Sequence, residues 1–314
     1  MGWMNTQVDA VTTTDLTKRF GDRTAVRAVN LRVPTGTAFG YLGANGAGKT
    51  TLIRMLLGLV PASSGSMRLL GHPVPQQRAE ALARVGAMVE EPRFHDHLSG
   101  RENLQVVAAA RGSAAAERID HCLDQVGLSG RGRDRVKTYS LGMRQRLGIA
   151  RCLLGDPDLL ILDEPMNGLD PAGIAEFRLF VHDFIDQGRT VVLSSHLLDE
   201  IEKTCTYAAI VDHGEVVVQG LIDDLRKDGE PRLRVDVDRP ELARRLLHES
   251  SDVKAIHESG RPGELELTIT DTKVVSELIR TLLEGGCAVQ RFEPTRATLE
   301  ERFLKVTGRL GDKE

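Results

Sequence analysis

The sequence predicts an α/β fold followed by a smaller α+β unit, and three features carry that expectation. The first is Gly43-Ala-Asn-Gly-Ala-Gly-Lys-Thr50, which matches G-x-x-x-x-G-K-[ST] and lies between a short apolar run, Ala38-Phe-Gly-Tyr-Leu42, and an apolar helical stretch, residues 51–59. The second is Leu159-Leu-Ile-Leu162, apolar without interruption, which ends on Asp163 and Glu164. Such a run fits a parallel strand covered on both faces. The third is a change of texture beyond Gly220, where short alternating segments such as Arg232-Leu-Arg-Val-Asp-Val237 replace the continuous apolar ones.

Each motif has a chemical reason for its residues. In the glycine-rich loop, a strand runs in and a helix runs out, so the backbone N–H groups of Gly43, Asn45, Gly46, Ala47 and Gly48 close around phosphates at a helix N-terminus. Lys49 then reaches the β/γ oxygens, the Thr50 hydroxyl ligates Mg²⁺, and Thr51 continues the cradle. Asp163 and Glu164 stand at the carboxyl end of their strand, where open α/β sheets hold ligands, and adjacent carboxylates there take different directions. Asp163 is expected in the Mg²⁺ shell. Glu164 is expected to orient and deprotonate the attacking water. These two motifs predict that the chain binds and hydrolyses ATP.

Composition bounds the setting. With 314 residues, 41% of them hydrophobic, the chain has material for a substantial core and two domains. No apolar run approaches the ~18 residues of a membrane span, and residues 1–15 have no signal-peptide pattern, so a cytoplasmic protein is expected. A net charge of -4, without basic blocks, argues against nucleic acid as the main partner. Cys122, Cys152, Cys205 and Cys287 are far apart and have no metal or redox spacing; they read as reduced, buried small side chains. His95-Asp-His97 lacks further ligands at metal spacing and reads as a solvated loop.

Over most of residues 10–220 the chain resembles the ABC ATPase superfamily. The likeness rests on the two motifs above, on Asn167-Gly-Leu-Asp-Pro171, which resembles the D-loop, and on His196, which follows Thr190-Val-Val-Leu193 and resembles the switch histidine. It implies that His196 reaches the γ-phosphate and that Asp170 shapes contact with a second copy. Asp170 before Pro171 is also a good N-cap and N1 pair for the amphipathic helix carrying Ile174, Phe177, Val181 and Phe184. Phe20 stands where the family places an aromatic ring against adenine. A plain core phenylalanine is the alternative reading.

Two departures from the family pattern are visible. The signature, L-S-G-G-Q in the family, is Tyr139-Ser-Leu-Gly-Met143 here; Ser140 and Gly142 remain to present a hydroxyl and a close backbone to a γ-phosphate. Taken alone, Ser140 reads equally well as an N-cap. The Q-loop glutamine aligns with Glu90 in Gly86-Ala-Met-Val-Glu-Glu-Pro92, so the resemblance places a carboxylate in the Mg²⁺ shell. Residues 93–150 turn helical, with Ser99-Gly-Arg-Glu102 as a capping box, and resemble the helical subdomain that meets a membrane subunit.

The resemblance therefore implies a head-to-tail nucleotide-sandwich homodimer, in which the signature of one copy completes the ATP site of the other. It also implies a separate transmembrane permease and a place at the inner face of the cell membrane. The Glu-Glu-Pro Q-loop, the Tyr-Ser-Leu-Gly-Met signature and the C-terminal Thr-Leu-Glu-Glu-Arg-Phe-Leu run are most similar to the ATPase subunits of bacterial exporters of bacitracin, lantibiotics or daunorubicin. A soluble ABC ATPase acting on DNA or the ribosome is the rival, but a long coiled-coil insertion or a second ATPase domain is missing. The ATPase domain is expected over residues 1–222, a polar linker over 223–231 and the accessory domain over 232–314. There the order β-α-β-β-α-β, with its last strand near Cys287 to Phe292, suggests a ferredoxin-like unit. Its residues form no catalytic cluster, which leaves packing, dimer support and regulation as alternatives.

Overall fold

A computed structural model describes residues 9–227, 231–258, 263–295 and 298–308. The chain divides into two compact units, Met1–Ile222 and Asp223–Glu314. The polar stretch expected as a linker is helical over Ile222–Lys227, and residues 228–230 lie outside the described residues.

The first unit is built on a six-stranded sheet. Its order across the sheet is Glu215–Leu221, Tyr207–Asp212, Ala38–Leu42, Thr190–Ser195, Leu159–Asp163 and Val85–Met88. All pairings are parallel except that of the first edge strand, which is antiparallel to its neighbour. Every residue of Ala38–Leu42, Leu159–Asp163 and Thr190–Ser195 is buried, which explains the apolar runs Leu159–Leu162 and Val191–Leu193 within them. The parallel registers decide where the loops emerge. Leu42 lies opposite Ser195, Asp163 opposite Ser194 and Met88 opposite Leu162, so four strands end at one edge and release their succeeding loops side by side.

A second, antiparallel sheet carries Arg23–Val29, Asp9–Phe20, Ser64–Leu69 and His72–Val74, with Arg32–Pro34 also paired to Asp9–Phe20. One core joins both sheets: Val11, Leu16, Val33 and Leu69 from the antiparallel one, Phe39, Tyr41, Ile161 and Val192 from the parallel one. Leu52, Ile53, Met55 and Leu56 of the helix Lys49–Leu56 belong to the same core. Burying these side chains anchors the start of that helix, and with it the phosphate loop.

Between the strands Val85–Met88 and Leu159–Asp163 the chain forms helices Gly100–Arg111, Ser113–Glu117, Ile119–Gln125 and Leu141–Leu153. The expected capping box closes the first: Glu102 N–H donates to Ser99 Oγ at 3.2 Å, and Ser99 N–H donates to Glu102 Oε2 at 2.7 Å. Among the described residues, no helix is long and apolar enough to cross a membrane.

The second unit is a four-stranded antiparallel sheet in the order Val253–Glu258, Glu264–Ile269, Arg232–Val237, Val289–Thr295. Helix Pro240–His248 follows its first strand in sequence and helix Val275–Glu284 its third, giving the ferredoxin-like succession. The last strand begins at Val289 and not at Cys287, because Gly285 and Gly286 end the preceding helix and Cys287 turns inward to a buried position in the core that holds Leu247 and Leu282. The final helix, Leu299–Val306, is capped by Thr298, which accepts a bond from Glu301 N–H at 3.2 Å, and is tied to the sheet by Arg232 and Glu301 at 2.6 Å. All four cysteines are free and buried; burial pushes the thiols of Cys122 and Cys152 up to about 11.

Candidate functional site

The phosphate loop follows the buried strand Ala38–Leu42 and ends at Gly48, the residue before helix Lys49–Leu56. Gly48 has φ 98°, and a Cβ there would sit 2.2 Å from the Ala25 carbonyl oxygen. Only glycine satisfies both constraints. The first N–H groups of a helix have no intrahelical acceptor, and here Lys49, Thr50 and Thr51 line a cavity of about 200 Å³ together with Ala44, Asn45, Gly46 and Gly48. That donor-rich, electropositive end of a helix is an anion site.

Lys49 is 6% exposed and extends back over the loop. Its Nζ donates to the Gly43 carbonyl at 2.6 Å and lies 3.0 Å from Glu164 Oε1. Glu164 has φ 49°, an uncommon conformation for a residue with a Cβ. The turn is held because Glu164 N–H donates to the Ser194 carbonyl at 3.2 Å and to Ser194 Oγ at 3.0 Å. Its other oxygen, Oε2, lies 2.9 Å from His196 Nδ1. Lys49, Glu164 and His196 thus form one continuous chain of contacts at the carboxyl edge of the sheet.

Asp163 is 4% exposed and accepts a hydrogen bond from Ser194 Oγ. Ser194, in the strand before His196, therefore positions both carboxylates, a role that sequence reasoning missed. Its signal was present as the serine pair ahead of the histidine. Asp163 and Thr50 together offer two hard oxygens, a donor set that suits Mg²⁺, which keeps most of its octahedral shell as water and substrate phosphate oxygens. Among the described residues no group of three or more histidine, cysteine or carboxylate side chains forms a protein-only metal cage.

Arg23 also lines the cavity, and it too was overlooked. The hairpin turn at Gly21-Asp22 pairs Arg23 directly with Phe20, so the two side chains share one face of the antiparallel sheet. Phe20 is 51% exposed, not a core residue, and Lys18 Nζ stands 4.9 Å from its ring centroid. The register thereby sets an exposed aromatic ring beside Arg23, which lines the phosphate cavity.

Other expected site residues lie away from it. Glu90, at φ 62°, is exposed and ion-paired with Arg54 of the phosphate-loop helix; it borders a different cavity with Glu91, Pro92, Phe94, Leu141 and Arg144. Ser140 is exposed and caps helix Leu141–Leu153, its Oγ accepting from Met143 N–H at 3.2 Å. Gly142 lies in the first turn of that helix, facing Leu169 of the D-loop-like segment. Asp170 caps the next helix, accepting from Gly173 N–H at 2.8 Å, with Pro171 at its first position.

Fold and cavity together define a P-loop ATP-binding protein with a carboxylate pair at the end of a parallel strand. Residues 26–167 match the ABC transporter family, and residues 220–307 match the C-terminal domain of DrrA1-3-like ATP-binding proteins. The bacitracin transport ATP-binding protein BcrA of Bacillus licheniformis is 37% identical, over 95% of this chain and 97% of its own length. The daunorubicin/doxorubicin resistance ATP-binding protein DrrA of Streptomyces peucetius is also 37% identical, over 98% of this chain and 96% of its own. A solved structure of an ATP-binding subunit of an ABC transporter superposes with a TM-score of 0.63 at 27% identity, covering 70% of this chain and 92% of that one. The chain belongs to the ABC transporter family, as an ATP-binding subunit that hydrolyses ATP.

Proposed function

We propose that this ATPase powers export of a drug-like or antibiotic-like molecule through a separate membrane permease, working as a head-to-tail pair of chains at the inner face of the cell membrane. What supports the substrate class is the extent of the likeness: BcrA and DrrA match both the ATPase unit and the C-terminal unit, not the cassette alone. The alternative, a soluble ATPase acting on DNA or the ribosome, has no such support.

In this reading ATP lies with adenine against Phe20 and its phosphates on the loop residues Gly43, Asn45, Gly46, Ala47 and Gly48, with Lys49, Thr50 and Thr51 at the helix start. Thr50 and Asp163 would hold Mg²⁺, whose positive charge would offset the negative charge of the phosphates. Phosphate oxygens compete for Lys49 Nζ with Glu164 Oε1, now 3.0 Å away. Once Lys49 turns to the phosphates, Glu164 is released as the base that takes a proton from water, while His196 keeps hold of Oε2 and turns toward the γ-phosphate. Ser140 and Gly142 of a second copy close the site from the other side. Glu90 would enter the Mg²⁺ shell only by leaving Arg54.

The experiment is reconstitution of the chain with a polytopic membrane protein sought among the neighbouring reading frames, followed by ATPase assays in proteoliposomes with bacitracin or daunorubicin. Stimulation by the permease and by one of these compounds, lost in Glu164→Gln, is expected. No stimulation by the permease, with stimulation by DNA or ribosomes instead, would overturn the export reading.

A further inference from the structure

A second cavity, of about 270 Å³, lies away from the phosphates, between the end of helix Ile119–Gln125, the helix Leu141–Leu153 and the helix Pro171–Asp186. Its size is just below the ~300 Å³ at which small-molecule sites begin. The wall is apolar at Ile149, Leu169, Phe177 and Phe180, and the last two rings tilt toward each other at a centroid separation of 6.2 Å.

Two polar groups in this wall have no partner among the described residues. Gln125 Oε1 is a buried acceptor without a hydrogen bond. A buried amide oxygen left unpaired is a cost that proteins avoid unless a ligand or water takes it up. The second is the Asp183 carboxylate, at the cavity's edge, without an ion pair. The remaining charges in the lining cancel, because Arg146 Nη1 and Glu176 Oε2 pair at 2.9 Å. One negative charge is therefore left in excess, on Asp183.

We infer that this cavity is a binding site for a small amphipathic amine: a flat apolar body against Phe177 and Phe180, and an ammonium group directed to Asp183 and Gln125 Oε1. An ammonium has only donors and a positive charge, which matches a lone carboxylate beside an orphaned acceptor; a carboxylate or phosphate ligand would meet repulsion there. The site would communicate with the signature turn. Leu169 lines the cavity on one side, and its Cδ2 lies 3.4 Å from where a Cβ on Gly142 would stand. An occupant braces the helix that begins at Ser140 against the helix that begins at Pro171.

The probe is 2-phenylethylammonium, titrated calorimetrically into the full chain with the phosphate cavity saturated by a non-hydrolysable ATP analogue. Uncharged 2-phenylethanol and body-less ethylammonium are titrated in parallel. Saturable binding at one site per chain is expected, not displaced by the nucleotide analogue. Asp183→Asn, an exposed substitution that spares the core, should weaken it at least about tenfold, or ~1.4 kcal/mol. Gln125→Leu should weaken it as well, and 2-phenylethanol should bind the parent about as poorly as the amine binds Asp183→Asn. The inference is overturned if the amine fails to saturate, if the nucleotide analogue displaces it, or if Asp183→Asn binds it as tightly as the parent.

Discussion

The phosphate-loop half and the signature half, which we propose meet at one ATP site across two copies, are built in opposite ways. Lys49, Glu164 and His196 are joined in one chain of contacts, with Lys49 6% and the neighbouring Asp163 4% exposed. Ser140, by contrast, is exposed, and its hydroxyl is committed only to capping its own helix. One chain thus pre-assembles carboxylate, lysine and histidine by packing, yet leaves the signature serine exposed, where a second copy would use it in the proposed pair. Strand ends in a parallel sheet are held by their neighbours' registers; a helix start on a separate layer is not.

The largest effect is expected from disrupting the assembled half. Glu164→Gln keeps the shape and loses the base, so hydrolysis should fall by ~10²–10⁴ in single-turnover assays while a fluorescent ATP analogue still binds. Turnover at the parental rate would remove Glu164 from its role. Next is the outward half. Ser140→Ala should slow turnover by about ten- to hundredfold, the worth of a hydrogen bond to a charged group, with nucleotide affinity unchanged. Helix capping alone would lower the melting temperature and leave the rate intact, so the two readouts separate the roles.

A smaller effect is expected at Glu90, which belongs to neither half as the structure stands. Its ion pair with Arg54 is between groups 39% and 64% exposed, worth at most ~1 kcal/mol, so Glu90→Gln should melt like the parent. If Glu90 exchanges Arg54 for Mg²⁺ during turnover, the Mg²⁺ dependence of ATPase activity should weaken in Glu90→Gln without loss of activity. Glu91→Gln is the control for register. A shift in the control alone would place the loop one residue along. The smallest effect is expected from removing the second unit: a chain ending at residue 222 should fold and bind nucleotide with parental affinity, measured by equilibrium titration. Failure to fold would show that the units depend on each other.

Much of the loop half was legible because its determinants are local. A glycine-rich turn between strand and helix, two carboxylates after an apolar strand, and a histidine after another each prescribe their own backbone over a few residues. The caps at Ser99, Ser140 and Asp170 were legible for the same reason. Arg23 was less visible, since its place in the cavity follows from a hairpin register that pairs it with Phe20. The helix Ile222–Lys227, within a stretch that reads as linker, shows the limit of composition: Ile222 and Leu225 are buried, and two apolar anchors suffice to order a polar segment.

Local sequence was enough for the ATPase chemistry, the chain order of its motifs and the ferredoxin-like succession at the C-terminus, because motif geometry and hydrophobic period act over short stretches of chain. Which side chains meet was left to the tertiary fold. The contact of Lys49 with Glu164, the service of Ser194 to both carboxylates, the pairing of Glu90 with Arg54 and the placing of the unpaired Gln125 Oε1 in one cavity with Asp183 all join residues tens of positions apart. Such pairings are set by strand register and helix packing, which place side chains within an ångström or two, and no local pattern encodes that distance.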